Sequence, residues 1–131
     1  MKNLFSVTAI VAGVVLLGNA PSWAGEKATN TIGINLSVRA ASGAVGPARS
    51  SSDSSQYIGC SASAFPGGSQ VFCEARDLSG TSVMCVSSDP SLIATAAAIS
   101  SISNVNFSWD ENGNCLSVSV GQFSFFEPMV P

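Results

Sequence analysis

The sequence predicts an α+β fold that is mostly β: a small antiparallel sheet with one covering helix, stapled by two disulfides. Apolar and polar residues alternate with a period of two in several short segments, and Pro-Gly and Asn-Gly turn signals lie between those segments. One alanine-rich segment instead has apolar residues at helical spacing. The chain also contains four cysteines and begins with an export signal, a combination that favours disulfide bonds.

Residues 1–24 have the organisation of a secretory signal peptide. Lys2 gives a positive start, residues 4–17 form an apolar run, and Ala24 ends a segment with small residues suited to cleavage. The apolar run is too short to span a bilayer, and no second long apolar run follows it. We therefore expect a secreted or periplasmic protein of about a hundred residues, without a membrane span.

The first part of the mature chain, residues 25–55, is predicted to form a strand followed by a Ser- and Gly-rich loop. Residues 31–40 alternate in polarity, which places five residues on one face of a strand: Ile32, Ile34, Leu36, Val38 and Ala40. Residues 41–55 are rich in Gly, Ala, Pro and Ser. Two interpretations stay open: a long loop inside the domain, which the alternation favours, or a detachable arm.

Residues 56–131 are predicted to form a disulfide-stabilised, β-rich domain. It begins with three antiparallel strands at 57–63, 70–77 and 81–88. The turns between them are predicted at Pro66-Gly67 and at Leu78-Ser79-Gly80, because glycine accepts the positive φ that such turns need. Asp89 and Pro90 are typical of a helix N-cap and of the first helical position, so we predict a helix over about 90–102.

A final hairpin is predicted around the Asn-Gly signal in residues 111–114. The preceding strand, 104–110, places three apolar residues on one face: Val105, Phe107 and Trp109. The returning strand, 115–120, does the same with Leu116, Val118 and Val120.

The four cysteines, Cys60, Cys73, Cys85 and Cys115, are predicted to form two disulfides. They are spaced too widely for the close ligand pairs of a zinc site, and the chain has no histidine, so we expect no metal and no cofactor. The first predicted turn places Cys73 opposite Cys60, whereas the second places it opposite Cys85. We expect only one of these two registers to hold. We favour Cys60–Cys73 with Cys85–Cys115, which clamps the helical connection.

The charge pattern and the missing histidine exclude several classes of function. The net charge is −3 and the few basic residues form no patch, so neither nucleic acid nor an anionic membrane surface is an expected partner. Without histidine, Ser-His-Asp and Cys-His catalytic groups cannot be assembled. We therefore predict that the protein is not an enzyme.

Two clusters of charged residues are interpreted as structural. Glu74 and Arg76 point to one face of a strand, where a surface ion pair is expected rather than a catalytic carboxylate. Residues 110–114 offer oxygen ligands at alternating positions, as calcium loops do, but the glycine is misplaced for an EF-hand. A hairpin turn is expected there.

Function is predicted only as a class. Phe125 and Phe126 cannot both face inward from one strand, so they are the candidate partner contacts. The leading hypothesis is a secreted non-enzymatic protein that binds a protein or cell-surface partner, or itself, at or outside the cell envelope. One alternative is a self-associating structural subunit of an extracellular assembly that donates its N-terminal segment as a strand. Another is a small secreted inhibitor or toxin that uses residues 41–55 for recognition.

Overall fold

The computed structural model describes residues 26–128, and the predicted signal peptide lies outside the described residues. Within these described residues, seven strands form two antiparallel sheets. The strands are β1 (Gly33–Asn35), β2 (Ala40–Ala44), β3 (Tyr57–Phe65), β4 (Gly68–Arg76), β5 (Ser82–Ser87), β6 (Ser103–Trp109) and β7 (Cys115–Gln122). The helices are α1 (Val45–Arg49) and α2 (Pro90–Ala96). The mostly-β class is confirmed, but the strands divide between two sheets rather than one, and α1 is a second, short helix.

The first sheet has the strand order β1-β2-β6-β7. The single strand predicted over residues 31–40 is wrong, because the chain reverses direction inside it. Oδ1 of Asn35 accepts hydrogen bonds from the N–H groups of Ser37 (3.1 Å) and Val38 (3.3 Å), which makes a turn between β1 and β2. Leu36 and Val38 lie in that turn and are exposed, so the alternation does not mark one buried face there.

The segment predicted as a loop, residues 41–55, begins as an ordered part of this sheet. β2 is an interior strand, paired with β1 on one side and with β6 on the other. α1 follows it directly, and five small residues of the two elements are buried: Ala41, Gly43, Ala44, Gly46 and Ala48. Small residues allow close approach between elements, so the composition that predicted a flexible loop here serves packing.

Gly46 shows how close this packing is. A Cβ atom at this position would lie 1.8 Å from the carbonyl oxygen of Glu127 and 2.8 Å from that of Ser101. The C-terminal segment that packs here also contacts the first described residues, since the Ala28 N–H donates to the Phe125 carbonyl (2.9 Å). Both ends of the described chain therefore meet beside α1.

The second sheet has the strand order β3-β4-β5. β3 and β4 pair without interruption from Tyr57 opposite Arg76 to Phe65 opposite Gly68. Both predicted turns are confirmed, and both use a left-handed glycine: Gly67 with φ of 101° and Gly80 with φ of 88°.

Helix α2 begins as predicted and ends early. Oδ1 of Asp89 accepts hydrogen bonds from the N–H groups of Ser91 (2.7 Å) and Leu92 (3.3 Å), as an N-cap does. The helix ends at Ala96 instead of about residue 102. The Ile99 N–H then bonds to the Ala96 carbonyl, three residues back, so tighter turns replace the α-helical pattern.

The final hairpin is confirmed, and its inward face forms much of the core. Val105 and Phe107 are almost fully buried, and the Trp109 ring packs 5.8 Å from the Phe107 ring, centroid to centroid. Val118 is buried and Val120 is half-buried on β7, as the alternation predicts.

Leu116 is the exception on β7. Ser117 lies opposite Ser108 and Cys115 opposite Trp109, so Leu116 is an extra residue in the ladder, a β-bulge. The bulge turns Leu116 outward, where it is 65% exposed. Its predicted place on the inner face of β7 is therefore wrong.

The two sheets share one hydrophobic cluster and are joined by a covalent bond. The Cys85–Cys115 disulfide connects β5 with β7 across a Cα–Cα distance of 5.0 Å. The second bond, Cys60–Cys73, lies within the second sheet. The favoured connectivity is confirmed, and the bond between the sheets encloses the chain segment that contains α2.

Candidate functional site

The β3–β4 hairpin is longer than β5, and its half nearest the turn extends beyond the end of that strand. β5 pairs with β4 only at residues 71–76, so within residues 26–128 no third strand lies beside residues 61–70. Every residue from 61 to 70 is exposed. We call residues 61–70 the free hairpin.

The tip of the free hairpin is a tight two-residue turn that presents an aromatic ring. Pro66 fixes its own φ, and Gly67 adopts a positive φ of 101°, a combination typical of a type II turn. The Phe65 ring lies over Gly68, since a Cβ atom there would be 3.6 Å from the ring. Phe65 is nevertheless 50% exposed. A partner can therefore reach this ring.

The base of the free hairpin is covalently closed. Cys60 and Cys73 are cross-strand neighbours with a Cα–Cα distance of 4.0 Å, and they form a disulfide. The expectation that only one of the two predicted registers holds is wrong, because β4 is the central strand. Cys73 lies opposite Cys60 on one side of β4 and opposite Cys85 on the other. The Sγ atoms of Cys73, Cys85 and Cys115 lie within 4.8 Å of one another, but all belong to disulfides and are not free metal ligands.

No charged residue occurs between Ile58 and Cys73, so the free hairpin is uncharged along its whole length. The first charge after this stretch, Glu74, accepts a hydrogen bond from the Tyr57 hydroxyl (2.6 Å), and this bond raises the pKa of Tyr57. The ion pair predicted between Glu74 and Arg76 is not formed. Within residues 26–128, the ion pair that forms joins Lys27 to Glu127 (3.8 Å), at the chain ends.

The oxygen-rich loop at residues 110–114 is a hairpin turn held by its own carboxylate. Oδ1 of Asp110 accepts hydrogen bonds from the N–H groups of Asn112 and Asn114, both 2.8 Å long. Oδ2 accepts a third from the Asn114 side-chain amide (2.7 Å), and this side-chain bond is the first cause that lowers the pKa of Asp110. Both carboxylate oxygens therefore serve the turn.

A cavity of about 280 Å³ lies beside the start of β3 and is lined by Val45, Ala48, Arg49, Asp53, Ser54, Gln56, Tyr57 and Ile58. Its carboxylate, Asp53, accepts hydrogen bonds from the N–H groups of Ser55 and Gln56 (both 2.8 Å) and from the Gln56 side-chain amide (2.7 Å). The side-chain bond is the first cause that holds the pKa of Asp53 well below its ordinary range. Oε1 of Gln56 accepts in turn from the Ile32 N–H (3.1 Å). This carboxylate ties the loop to the segment before β1.

Three phenylalanines cluster at the C-terminal end, and they differ in exposure. Phe126 is 4% exposed and Phe125 is half-buried, whereas Phe123 is 51% exposed. The Phe125 ring stacks on Phe123 at 5.0 Å and meets Phe126 edge-on at 4.5 Å. Of the two predicted contact residues, Phe125 presents the larger part of its surface, and Phe126 packs inward.

The N-terminal segment that the strand-donation hypothesis uses is integrated in the first sheet. β2 lies between β1 and β6, so a donated strand would first have to leave the sheet interior. Residues 41–55, which the inhibitor hypothesis uses for recognition, contain most of β2 and all of α1, and only the later residues form a surface loop.

Comparisons with protein-family models, curated proteins and solved structures found no match to this chain. In the part of the chain that the structure describes, no helix is long and apolar enough to cross a membrane. The sequence analysis did not single out the free hairpin or Phe65. Two features of the sequence could have indicated the free hairpin: the absence of charge between residues 58 and 73, and the Pro-Gly turn at the centre of this stretch.

Proposed function

We propose that this chain is a secreted, non-enzymatic binding protein that acts at or outside the cell envelope, with the free hairpin as its binding element. One observation carries the proposal: residues 61–70 are continuously exposed, uncharged and closed by a disulfide at their base. The signal-peptide pattern of residues 1–24 supports export, and both disulfides are compatible with an oxidising compartment.

The geometry of the free hairpin favours binding because little conformational freedom remains to be lost. The Cys60–Cys73 disulfide restrains one end of the hairpin and the Pro66-Gly67 turn restrains the other. Preorganisation of this kind lowers the entropic cost of association. Phe65 adds an exposed aromatic ring, and aromatic residues often contribute a large share of binding energy at interfaces.

The carboxylates with shifted pKa values are accounted for by local hydrogen bonds. Four aspartates have a lowered pKa, and for each the first cause is a hydrogen bond from a side chain at most four residues away: Asp53, Asp77, Asp89 and Asp110. Such local bonds stabilise turns and helix ends. The chain also lacks histidine, the commonest general acid or base.

The proposal is tested by retention on cells. Protein exported from an oxidising host is labelled and incubated with intact cells of the producing organism, and the bound fraction is measured by fluorescence after washing. Phe65→Ser and Phe123→Ser form a matched pair, because these rings are 50% and 51% exposed. We expect Phe65→Ser to lower retention about tenfold. Phe123→Ser should stay within about twofold of the unaltered protein.

Two results would overturn the proposal. One is that the unaltered protein washes off as readily as Phe65→Ser, so that no binding depends on the hairpin. The other is that both variants are retained equally well. Thermal unfolding of each variant confirms that a loss of retention reflects the surface and not a loss of folding.

A further inference from the structure

We infer that the free hairpin binds a second copy of this chain, through the open edge of β3, to form an antiparallel dimer. The inference rests on the proposed function, because it takes the free hairpin as the binding element. It is carried by the backbone groups along the outer edge of β3, by the absence of edge protection, and by the symmetry of the register.

The outer edge of β3 presents the backbone groups of Ala62 and Ala64. The Cα–Cα distance of 4.0 Å between Cys60 and Cys73 is that of a non-hydrogen-bonded pair, for which about 4.5 Å is usual against about 5.5 Å for a bonded pair. The two kinds of pair alternate along an antiparallel ladder, so Ala62 and Ala64 are also non-hydrogen-bonded positions. Their N–H and C=O groups therefore point away from β4, where the described structure has no strand.

β3 lacks the features by which edge strands usually avoid pairing. Such strands carry lysine or another charge, a proline, or a bulge that twists the edge away. β3 contains no charged residue and no proline, and its register with β4 is uninterrupted over Tyr57–Phe65. Two copies therefore approach along this edge without charge repulsion.

If the β3 strands of two copies pair in antiparallel fashion with Ser63 at the centre, the free N–H and C=O groups of both strands form hydrogen bonds. Ala62 of one copy then lies opposite Ala64 of the other, and each opposed pair exchanges both of its N–H···O=C bonds. The methyl side chains of these residues are small enough for the usual strand spacing of about 4.8 Å. Ser63 lies opposite its own equivalent at the two-fold axis.

This pairing forms a closed and weak dimer. At the other edge of the sheet, the Val86 N–H donates to the Gly113 carbonyl (3.0 Å), so the turn before β7 covers part of β5. An interface that uses one patch twice closes after two copies. Because β3 ends at Phe65, a pair centred on Ser63 joins residues 61–65 of each copy. These five residues bury far less than the ~800 Å² per partner of a stable complex, so we expect a Kd of about 10 µM or higher.

The first test removes one N–H from the free edge. Ala64→Pro deletes an N–H that β4 does not use, and proline is tolerated on an edge strand in that position. Ala64→Ser is the matched control, because it keeps the N–H. Sedimentation velocity from about 10 µM to about 1 mM should show a concentration-dependent dimer for the unaltered protein and the control, and a monomer for Ala64→Pro. Circular dichroism verifies that Ala64→Pro is folded.

The second test does not depend on a proline variant. Ser63→Cys should form an intermolecular disulfide under mild oxidation, because the two Ser63 residues face each other at a short, non-hydrogen-bonded position. Gln70→Cys is the control: Gln70 pairs with Ser63 on the neighbouring strand and lies one strand farther from the axis. Non-reducing electrophoresis and peptide mapping should show a Ser63→Cys dimer with both native disulfides intact, and much less dimer for Gln70→Cys.

A monomer at about 1 mM, with no excess of Ser63→Cys dimer over the control, would overturn the inference. Dimerisation of Ala64→Pro with unchanged affinity would overturn it as well. These failures are distinct from failure of the proposed function. A monomer that is retained on cells through Phe65 contradicts the dimer alone, whereas a dimer that is not retained contradicts envelope binding alone.

Discussion

Cys73 lies directly opposite Cys85 in the β4–β5 register, although Cys73 is bonded to Cys60 and Cys85 is bonded to Cys115. The sulfur of Cys73 is within 4.8 Å of both sulfurs of the other disulfide. A directly opposed cross-strand pair has a Cα–Cα separation of about 4.5–5.5 Å, which falls within the range that disulfides bridge. The native connectivity is therefore one of two pairings that this part of the sheet accommodates.

Freeing Cys73 should change the connectivity of the second disulfide. In Cys60→Ala, the Cys73 thiolate can attack Sγ of Cys85, which forms a Cys73–Cys85 bond and releases Cys115 as a thiolate. We expect peptide mapping by mass spectrometry to find a substantial fraction of Cys73–Cys85 in this variant. The control, with Cys60 and Cys73 both replaced by alanine, should keep Cys85–Cys115 alone. Exclusive Cys85–Cys115 in the single variant contradicts the prediction.

Gly46 should tolerate no side chain. In Gly46→Ala the new Cβ would lie 1.8 Å from the Glu127 carbonyl oxygen, a backbone atom that cannot rotate away. We expect a loss of about 1–3 kcal/mol in the free energy of unfolding, measured in urea without reductant. Gly59→Ala is the control, because nothing lies within 4 Å of its added Cβ. The control should be neutral or stabilising by up to about 1 kcal/mol. Equal losses in both variants would show that α1 does not pack closely on the C-terminal segment.

The phenylalanine cluster should divide between core and surface. Phe126 is 4% exposed and Phe123 is 51% exposed, although their ring centroids are 6.0 Å apart. We expect Phe126→Ser to lower the free energy of unfolding by about 3 kcal/mol or more, since a buried aromatic ring is lost. Phe123→Ser should lower it by less than about 1 kcal/mol. If the order of the two losses were reversed in urea unfolding, Phe126 would not be a core residue.

Acid should destabilise the fold through Asp53. The folded pKa of this carboxyl lies below its ordinary value of 3.8, with the Gln56 side-chain hydrogen bond as the first cause. A depressed folded pKa means that the unfolded chain binds the proton more tightly. The stabilisation is therefore complete above pH 3.8 and is lost as the pH falls towards the folded pKa.

The measurement compares urea unfolding at about pH 6 and about pH 2.5 for the unaltered protein and Asp53→Asn. The variant should be less stable at the higher pH, because it lacks the carboxylate that accepts the bonds from Ser55 and Gln56. It should also lose less stability on acidification. An identical acid-induced loss in both proteins would show that Asp53 does not contribute to the pH dependence.

Features that depend on a few neighbouring residues were predictable. The turns at Gly67 and Gly80 follow from glycine's tolerance of positive φ, and the Asp89 N-cap follows from a short side chain that reaches the first free N–H groups. Cysteine spacing and the two turn registers limited the plausible disulfide connectivities. The favoured one is present, although β4 is central and places Cys73 between two candidate partners.

Two predictions of buried strand residues were wrong. In both, apolar and polar residues keep alternating in the sequence where the backbone leaves the regular strand ladder. Leu36 and Val38 alternate like strand residues, but the Asn35 side chain bonds to the backbone beyond it and turns the chain. Leu116 alternates with Val118, but one inserted residue shifts the ladder. In each case a local hydrogen-bond arrangement or bulge overrides a pattern that predicts only which residues share a face.

Sequence patterns were sufficient to predict the mostly-β class, the turns, the helix N-cap and the formation of two disulfides, because each depends on short-range chemistry or on cysteine spacing. Three features follow from contacts between distant segments and were not predicted: the division of the strands into two sheets, the interior position of β2, and the extension of residues 61–70 beyond β5. Alternation selects the face that a strand buries, but it does not select the neighbouring strand. That choice depends on side-chain packing between segments far apart in the chain, such as β2 against β6 and Cys85 against Cys115.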